Sequence, residues 1–533
     1  MKETVHTEKQ QIVRASKIMA VFTLFSRLLG LVRNQILSHF FGATWVADAF
    51  IAAFTIPNAL RRLFGEGALT PAIVSIFTRV LKGPQEAGQR RAFVSASFWW
   101  LSSVLVLVVL AGILLAPVLV RLYVPEFVNV PGKMELTISL TRWLFPFILF
   151  LGWAALAMGL LNSIGLFGVS AFSPALLNIA VIIVVPTLLF TFQPDPTTGI
   201  FIFASAVLMG GALQAFIHLW PLSKNALIPS LVPSLTSPHL TDLKKLMLPS
   251  VLAMGTYQLN IIVNRVFASQ IDGAVSHLFY ADLILELPIS LIAVSLGTAV
   301  VPTFSRYATT GDHKGLGDTF RFALEGALFF AIPAMLGVLV LATPLCSSLY
   351  FSGKFTLHDL EVSSLCLMAY SLGLPFFAAL RILTPLFFAQ KDTVTPTIVS
   401  FVALTVNFVA AWKLSSFWGA SGIALATVIS SIVNFFVLGM IVFFKHRDFE
   451  WSLMTKSVLK IVFSSALMGG ALVLILQSLP TDFWTSSGIT MKKLSALLGL
   501  VALGITAFGV AALFLKLPQA QAVYSRLRSK TGL

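Results

Sequence analysis

Long apolar runs recur from one end of the chain to the other, and that pattern leaves few folds open. Runs of about 18 residues or more are long enough to cross a hydrocarbon layer of about 30 Å. In lipid, backbone N–H and C=O groups must be satisfied within the protein, so consecutive runs of this kind fold as a bundle of helices. Only 11% of the 533 residues are charged and 57% are hydrophobic, where a soluble domain carries about 25% charged residues. A soluble fold of this composition would have no polar surface to present to water. The expected spans are 18–40, 46–78, 93–120, 136–162, 171–192, 199–221, 246–270, 278–305, 319–345, 358–389, 394–413, 420–444, 457–479 and 492–515, fourteen in all. Pro57, Pro146, Pro288, Pro333 and Pro375 fall inside spans. Membrane helices tolerate this where neighbours satisfy the freed carbonyl.

The charge balance sets orientation. The chain has 36 Lys and Arg against 21 Asp and Glu, a net charge of +15. Nucleic-acid binding is one source of such basicity, but here the basic residues lie between apolar runs, as the positive-inside rule requires. With the N-terminus in the cytoplasm, the inner segments hold 22 Lys and Arg, and the outer segments hold 6: Arg121, Lys133, Lys354, Lys413, Lys492 and Lys493. An even number of spans then places both termini in the cytoplasm. The polar stretch from Met1 to Lys17 precedes no small-residue cleavage site, so no removable signal peptide is expected. The two cysteines, Cys346 and Cys366, form neither a disulfide framework nor a metal-ligand pattern.

An internal repeat organises the bundle. Gly42, Pro57 and Pro71 recur as Gly273, Pro288 and Pro302, all three at one constant offset. At the same offset Val32 meets Val263, Ser38 meets Ser269, Leu60 meets Leu291 and Ala68 meets Ala299, with no gap over 32–71. The pairs fall on spans 1–2 and 7–8. Six spans separate them, an even number, so the two copies share orientation. This is the parallel-repeat plan of a transporter with its site between two lobes. The expected fold is therefore all-α and polytopic: two parallel six-helix lobes (1–222 and 223–445) around a central cavity, plus two further helices and a basic cytoplasmic tail (446–533). Gly42, Pro57, Gly273 and Pro288 are the candidate hinges.

The first two spans carry ionisable residues that lipid would exclude: Arg27, Arg33, Asp48, Arg61, Arg62 and Glu66. Each costs about 2.5–3.5 kcal/mol at mid-membrane on insertion scales unless it faces a partner or a wet cavity. Asn58, Arg62 and Glu66 follow i, i+4, i+8 and line one helical face, where Arg62 and Glu66 can pair with each other. Arg61 points about 100° away from that face. In the second copy, Asn264 and Arg265 stand opposite Arg33 and Asn34, so each lobe projects a guanidinium at nearly the same position. Asp282 and Glu286 follow at i, i+4 in span 8. Several arginines converging between two lobes suit a phosphate or pyrophosphate, because guanidinium binds such groups in a planar, bidentate manner. There is no G-x-x-x-x-G-K-[ST] loop, no H-E-x-x-H, and no ligand spacing among the eight His, so no ATPase, metal or enzyme motif is evident.

These stretches resemble a known family. FSRLLGLVRN at 25–34, FGATWVADAF at 41–50 and PNALRRLFGEGALTPAIVSIF at 57–77 are similar to the MurJ (MviN) lipid II flippases. LNSIGLFGVSAFSPALLN at 161–178, FASQIDGAVSHLFYAD at 267–282 and GTAVVPTFS at 297–305 continue the likeness over nearly the whole chain. The resemblance implies the fold of the multidrug/oligosaccharidyl-lipid/polysaccharide exporter superfamily. It implies an alternating-access flip of lipid II, the undecaprenyl-pyrophosphate-linked peptidoglycan precursor, from the cytoplasmic to the periplasmic leaflet of the bacterial inner membrane. The family's substrate arginines fall on Arg27, Arg33 and Arg61, its acidic positions on Asp48 and Glu66, and its asparagine on Asn58. Many members have an Arg directly after the YAD run, where this chain has Leu283. Arg265, one helix earlier, is the expected substitute.

The expected partners are lipid II and membrane lipids, with the wall-synthesis machinery as a further candidate and no nucleic acid. No cofactor is expected, and a coupling ion or the membrane potential is the candidate driver. The alternatives are an exporter of another polyprenyl-pyrophosphate-linked oligosaccharide and a membrane enzyme acting on polyprenyl phosphates. The short basic loops disfavour the enzyme.

Overall fold

The computed structural model describes residues 2–61, 69–82, 87–230, 232, 233, 235, 237–292, 298–480 and 482–531. Among these the chain runs through helices α1 (Lys2–Phe41), α2 (Trp45–Arg61), α3 (Thr70–Lys82), α4 (Ala87–Tyr123), α5 (Lys133–Leu144), α6 (Phe147–Ser163), α7 (Phe167–Phe192), α8 (Pro196–Phe216), α9 (Leu219–Lys224) and α10 (Pro238–Ala268). It continues through α11 (Ala274–Ile292), α12 (Thr298–Thr310), α13 (His313–Tyr350), α14 (Leu357–Ser371), α15 (Leu374–Ala389), α16 (Val394–Lys445), α17 (Trp451–Ser478), α18 (Met491–Phe514) and α19 (Pro518–Thr531). Among the described residues eight segments are long and apolar enough to cross a membrane, and the α14–α15 pair, bent by 41°, makes a ninth. The most apolar window of α4 is only 28% buried within the protein. A helix apolar all round with that much surface uncovered is solvated by lipid.

α16 is a hairpin. Gly419, at φ 54° and ψ −133°, breaks it, and the Ser430 hydroxyl donates to the Ala403 carbonyl at 2.8 Å across the two arms. The turn sits in the gap left between the expected spans 394–413 and 420–444. With α16 counted as two passes the described residues hold ten such segments, consistent with a polytopic bundle of the expected kind. The structure also divides several spans. The stretch 136–162 becomes α5 and α6, interrupted at Phe145–Pro146, and 358–389 becomes α14 and α15, with Pro375 in the first turn of α15. Proline lacks the N–H that would continue the ladder, so a helix divides or bends there.

The repeat is visible in the backbone. Gly42 and Gly273 both have positive φ, 62° and 69°. Each closes the turn between the two helices of its copy, α1–α2 and α10–α11. Glycine adopts this region without a Cβ clash. Pro57 and Pro288 sit at matched places inside α2 and α11.

Packing groups the residues into two compact units, 1–272 and 273–533. In the first, α1 packs on α7, α2 on α5, and α3 on α6. Ile73, Ile76, Phe77, Phe93, Leu105, Phe145 and Leu160 fill its core. The segment leading into α10 is tied to α4. The Trp99 indole donates to the Ser230 carbonyl at 2.9 Å, and the Ser230 N–H donates to the Ser95 hydroxyl at 2.8 Å. The repeat counts helices and begins its second copy before α10, whereas packing keeps α10 with the first unit.

In the second unit α13 packs against α14, α15 and α17, and α17 packs against α18. Met468 and Leu472 of α17 and Leu497, Leu500 and Phe508 of α18 join that core. The buried Lys493 ammonium donates to the Ser347 hydroxyl at 3.0 Å, which fastens α18 to α13.

The loop after α16 is pinned by His446, whose Nε2 accepts from the Gln390 amide at 3.0 Å and whose ring stacks on Phe449 at 4.7 Å. Burial first, and then Lys445, hold its imidazole below the ordinary value. The folded state thus favours neutral His446. Its contribution is present above the unfolded imidazole pKa and is lost as pH falls from that value through the depressed one. The unfolding midpoint in detergent should therefore drop between pH 7.5 and 5, and His446→Gln should flatten that drop. An unchanged slope in the variant would remove His446 from the acid response.

Candidate functional site

Four elements of the first unit, α1, α2, α5 and α10, carry the charged residues of the candidate site. On α1, Arg27 is exposed and Arg33 half-buried. The Nε and Nη2 of Arg33 donate to Oδ1 of the buried Asn34 at 3.3 and 3.2 Å. The same helix is held to α7 where the Asn178 amide donates to the Ser26 carbonyl at 3.0 Å. α2 contributes Asp48 in its first turn and the half-buried Asn58. Arg61 closes α2, and its side chain lies outside the described residues, as do Arg62 and Glu66 entirely. On α10, Arg265 is half-buried and, together with Thr55 of α2, approaches the buried hydroxyl of Tyr123. Arg265 and Thr55 of α2, the helix that also carries Asn58 and Arg61, thus face the same hydroxyl. In the second unit, Asp282 and Glu286 are both exposed along α11, and Leu283 is half-buried.

Asp48 is fully buried, and one partner that permits this is Lys133, the first residue of α5. Lys133 Nζ lies 2.8 Å from Asp48 Oδ2, with the two side chains 2% and 0% exposed. The ammonium also sits 4.2 Å over the Phe127 ring and 3.7 Å from Asp272 Oδ1, a side chain 84% exposed at the turn after α10. In the sequence Lys133 is one more loop charge. Nothing periodic in the long stretch between Asp48 and Lys133 could join them.

The second unit has a similar tie at the matched helix ends. His277, in the first turn of α11, places Nε2 3.0 Å from Asp359 Oδ1 of α14, and both residues are buried. Asp359 also completes a capping box, in which its Oδ2 accepts from the Thr356 N–H at 2.8 Å. The Thr-x-x-Asp spacing announces that helix start, but nothing in the sequence pairs it with His277. In the first unit the acid is on the α2 side and the base on α5. In the second the base is on α11 and the acid on α14.

A chain that holds buried charge in this way, in two copies of one helical arrangement faced with lipid, is built as a multi-pass membrane transporter. The family model described as lipid II flippase MurJ matches residues 37–494. The chain belongs to the MurJ lipid II flippase family. It is 32% identical over 508 residues, 95% of both chains, to a probable lipid II flippase MurJ of Bdellovibrio bacteriovorus. It is 31% identical over 432 residues to the lipid II flippase MurJ of Burkholderia cenocepacia, covering 80% of this chain and 83% of that one. A solved structure of lipid II flippase MurJ in an inward closed conformation superposes with TM-score 0.75 at 27% identity, over 93% of this chain and 98% of that one. An inward-facing multidrug resistance MATE family transporter of the MOP superfamily shares the fold, with TM-score 0.62 at 15% identity, over 82% of this chain and 98% of that one.

Proposed function

We propose that this chain is a lipid II flippase of the bacterial inner membrane, with both termini in the cytoplasm, and that it moves the lipid-linked precursor to the periplasmic leaflet by alternating access. The observation that carries this reading is the family match over residues 37–494, joined to a bundle whose first unit sets Arg33 and Arg265 half-buried on α1 and α10. The lobes are the two copies of the repeat, 1–222 and 223–445, with 446–533 appended.

Arg33, Arg61 and Arg265 take the pyrophosphate, Asn58 hydrogen-bonds beside it, and the exposed Arg27 stands nearer the cavity mouth. Guanidinium groups suit this because they stay charged and bind phosphate in a bidentate manner. The polyprenyl tail remains in lipid while the head group crosses. Asp48, Arg62 and Glu66 in the first unit, and Asp282 and Glu286 in the second, are the gating charges, and the turns at Gly42 and Gly273 together with Pro57 and Pro288 absorb the bending. A site this basic responds to membrane potential, which supplies about 2.3 kcal/mol per charge per 100 mV. Membrane potential or a coupling ion is the driver, and the wall-synthesis machinery is the natural consumer of the product.

The test is rescue of bacterial cells depleted of their own lipid II flippase. The wild-type chain should restore growth, and Arg33→Ala and Arg61→Ala should fail at equal membrane levels. A well-inserted wild-type chain that does not rescue would redirect the reading to another polyprenyl-linked oligosaccharide. Rescue by both variants would remove these arginines from the site.

A further inference from the structure

Lysine at the start of α5 needs an explanation. The N-terminus of a helix is the positive end of its dipole and disfavours a cation, and a buried ammonium must be paired to be tolerated. Nothing local asks for one, because the turn before α5 is made by Gly132 at φ 78°. The reason lies in the partners, and they are unequal. Asp48 meets Lys133 at hydrogen-bonding distance with both groups buried. Asp272 meets the same ammonium at 3.7 Å from an 84% exposed position, beyond hydrogen-bond range and open to screening. α2 and α5 are packed side by side along their length, so the first contact lies inside a fixed pair of helices. The second reaches the turn that follows α10.

The repeat sharpens the point. Asp272 stands where the first copy has Phe41, a buried residue. The turn can therefore be made without a carboxylate, and the acid is an addition specific to the second copy.

We propose that Lys133 is a positioning residue for transport, holding Asp48 as a permanent cross-tie between α2 and α5 and Asp272 as a releasable clasp on the end of α10. A dry contact persists through a conformational cycle. A wet one is weak enough to be made and broken in every turnover. By the orientation proposed above, on which this inference rests, the clasp is on the periplasmic side. Its closure holds α10 against α5, and its opening frees α10 to move.

The experiment uses the full-length chain in proteoliposomes, with Ile271→Cys as reporter and a membrane-impermeant maleimide added from the periplasmic face. Cys346 and Cys366 are buried and give a low background. Asp272→Asn should speed labelling about two- to fivefold, the range of one exposed ion pair. High salt should produce the same increase in the parent and none in Asp272→Asn. Lys133→Arg should retain slow, salt-sensitive labelling. Labelling that ignores both Asp272→Asn and salt would overturn the clasp, as would an equal salt response in the variant. This readout needs no substrate. A parent that fails to rescue flippase-depleted cells would end the lipid II reading while leaving the clasp result standing.

Discussion

Asp48→Leu should be among the most damaging single substitutions in this chain, and its damage should be repaired by a second one. Removing the carboxylate leaves the Lys133 ammonium, 2% exposed, without its close counter-charge. Breaking a buried pair from one side costs about 3–5 kcal/mol, whereas replacing both partners by apolar residues is often neutral. Asp48→Leu protein in detergent should therefore lose a large part of its thermal midpoint, and Asp48→Leu/Lys133→Met should regain most of it. Rescue of flippase-depleted cells should stay poor in the double variant, because the cross-tie and the clasp are both gone. If the single variant melts like the parent, Asp272 has taken over as the partner of Lys133, and the pair is not a fixed tie.

The α16 hairpin should be nearly as sensitive, through a residue with no functional group. A Cβ at Gly422 would lie 2.1 Å from the Leu414 carbonyl oxygen and 2.5 Å from its carbon. Backbone cannot swing aside as a side chain can, so Gly422→Ala must part the two arms. Overpacking of this kind typically costs about 1–3 kcal/mol, and here the opposing group is main chain at the tightest point of the turn. Gly439→Ala is the control, since its Cβ meets nothing within 4 Å and alanine favours a helix over glycine by about 0.5–1 kcal/mol. Size-exclusion profiles of fluorescently tagged variants in detergent should show the Gly422 variant aggregated or lost and the Gly439 variant intact. A monodisperse Gly422→Ala peak of parental height would mean that the arms are farther apart than the structure places them.

Both outcomes bear on what a sequence can carry. The hairpin was legible: two apolar runs with a short gap announce two passes, and only the turn residue needed the structure. The repeat was equally legible. Gly42 and Gly273, at equivalent places in the two copies, take nearly the same positive φ, because the same turn has the same steric requirement wherever it recurs. The all-helical class followed from the runs themselves, since lipid offers the backbone no hydrogen-bonding partner. The arginines on α1 and α10 stood out for the same reason, as charges inside segments that ought to be apolar.

The pairing of charges was not legible. Lys133 read as one more basic loop residue and His277 as one of eight scattered histidines, yet both are buried against a carboxylate, Asp48 and Asp359. Likewise, the repeat assigns α10 to the second copy, while the contacts of Trp99 and Ser95 with Ser230 help fasten its leading segment to the first unit. Local rules fix local structure because helix, turn and lipid exposure depend on residues a few places apart and on the solvent. An ion pair between groups 85 or 82 positions apart depends on which helices become neighbours, and only the packed bundle decides that.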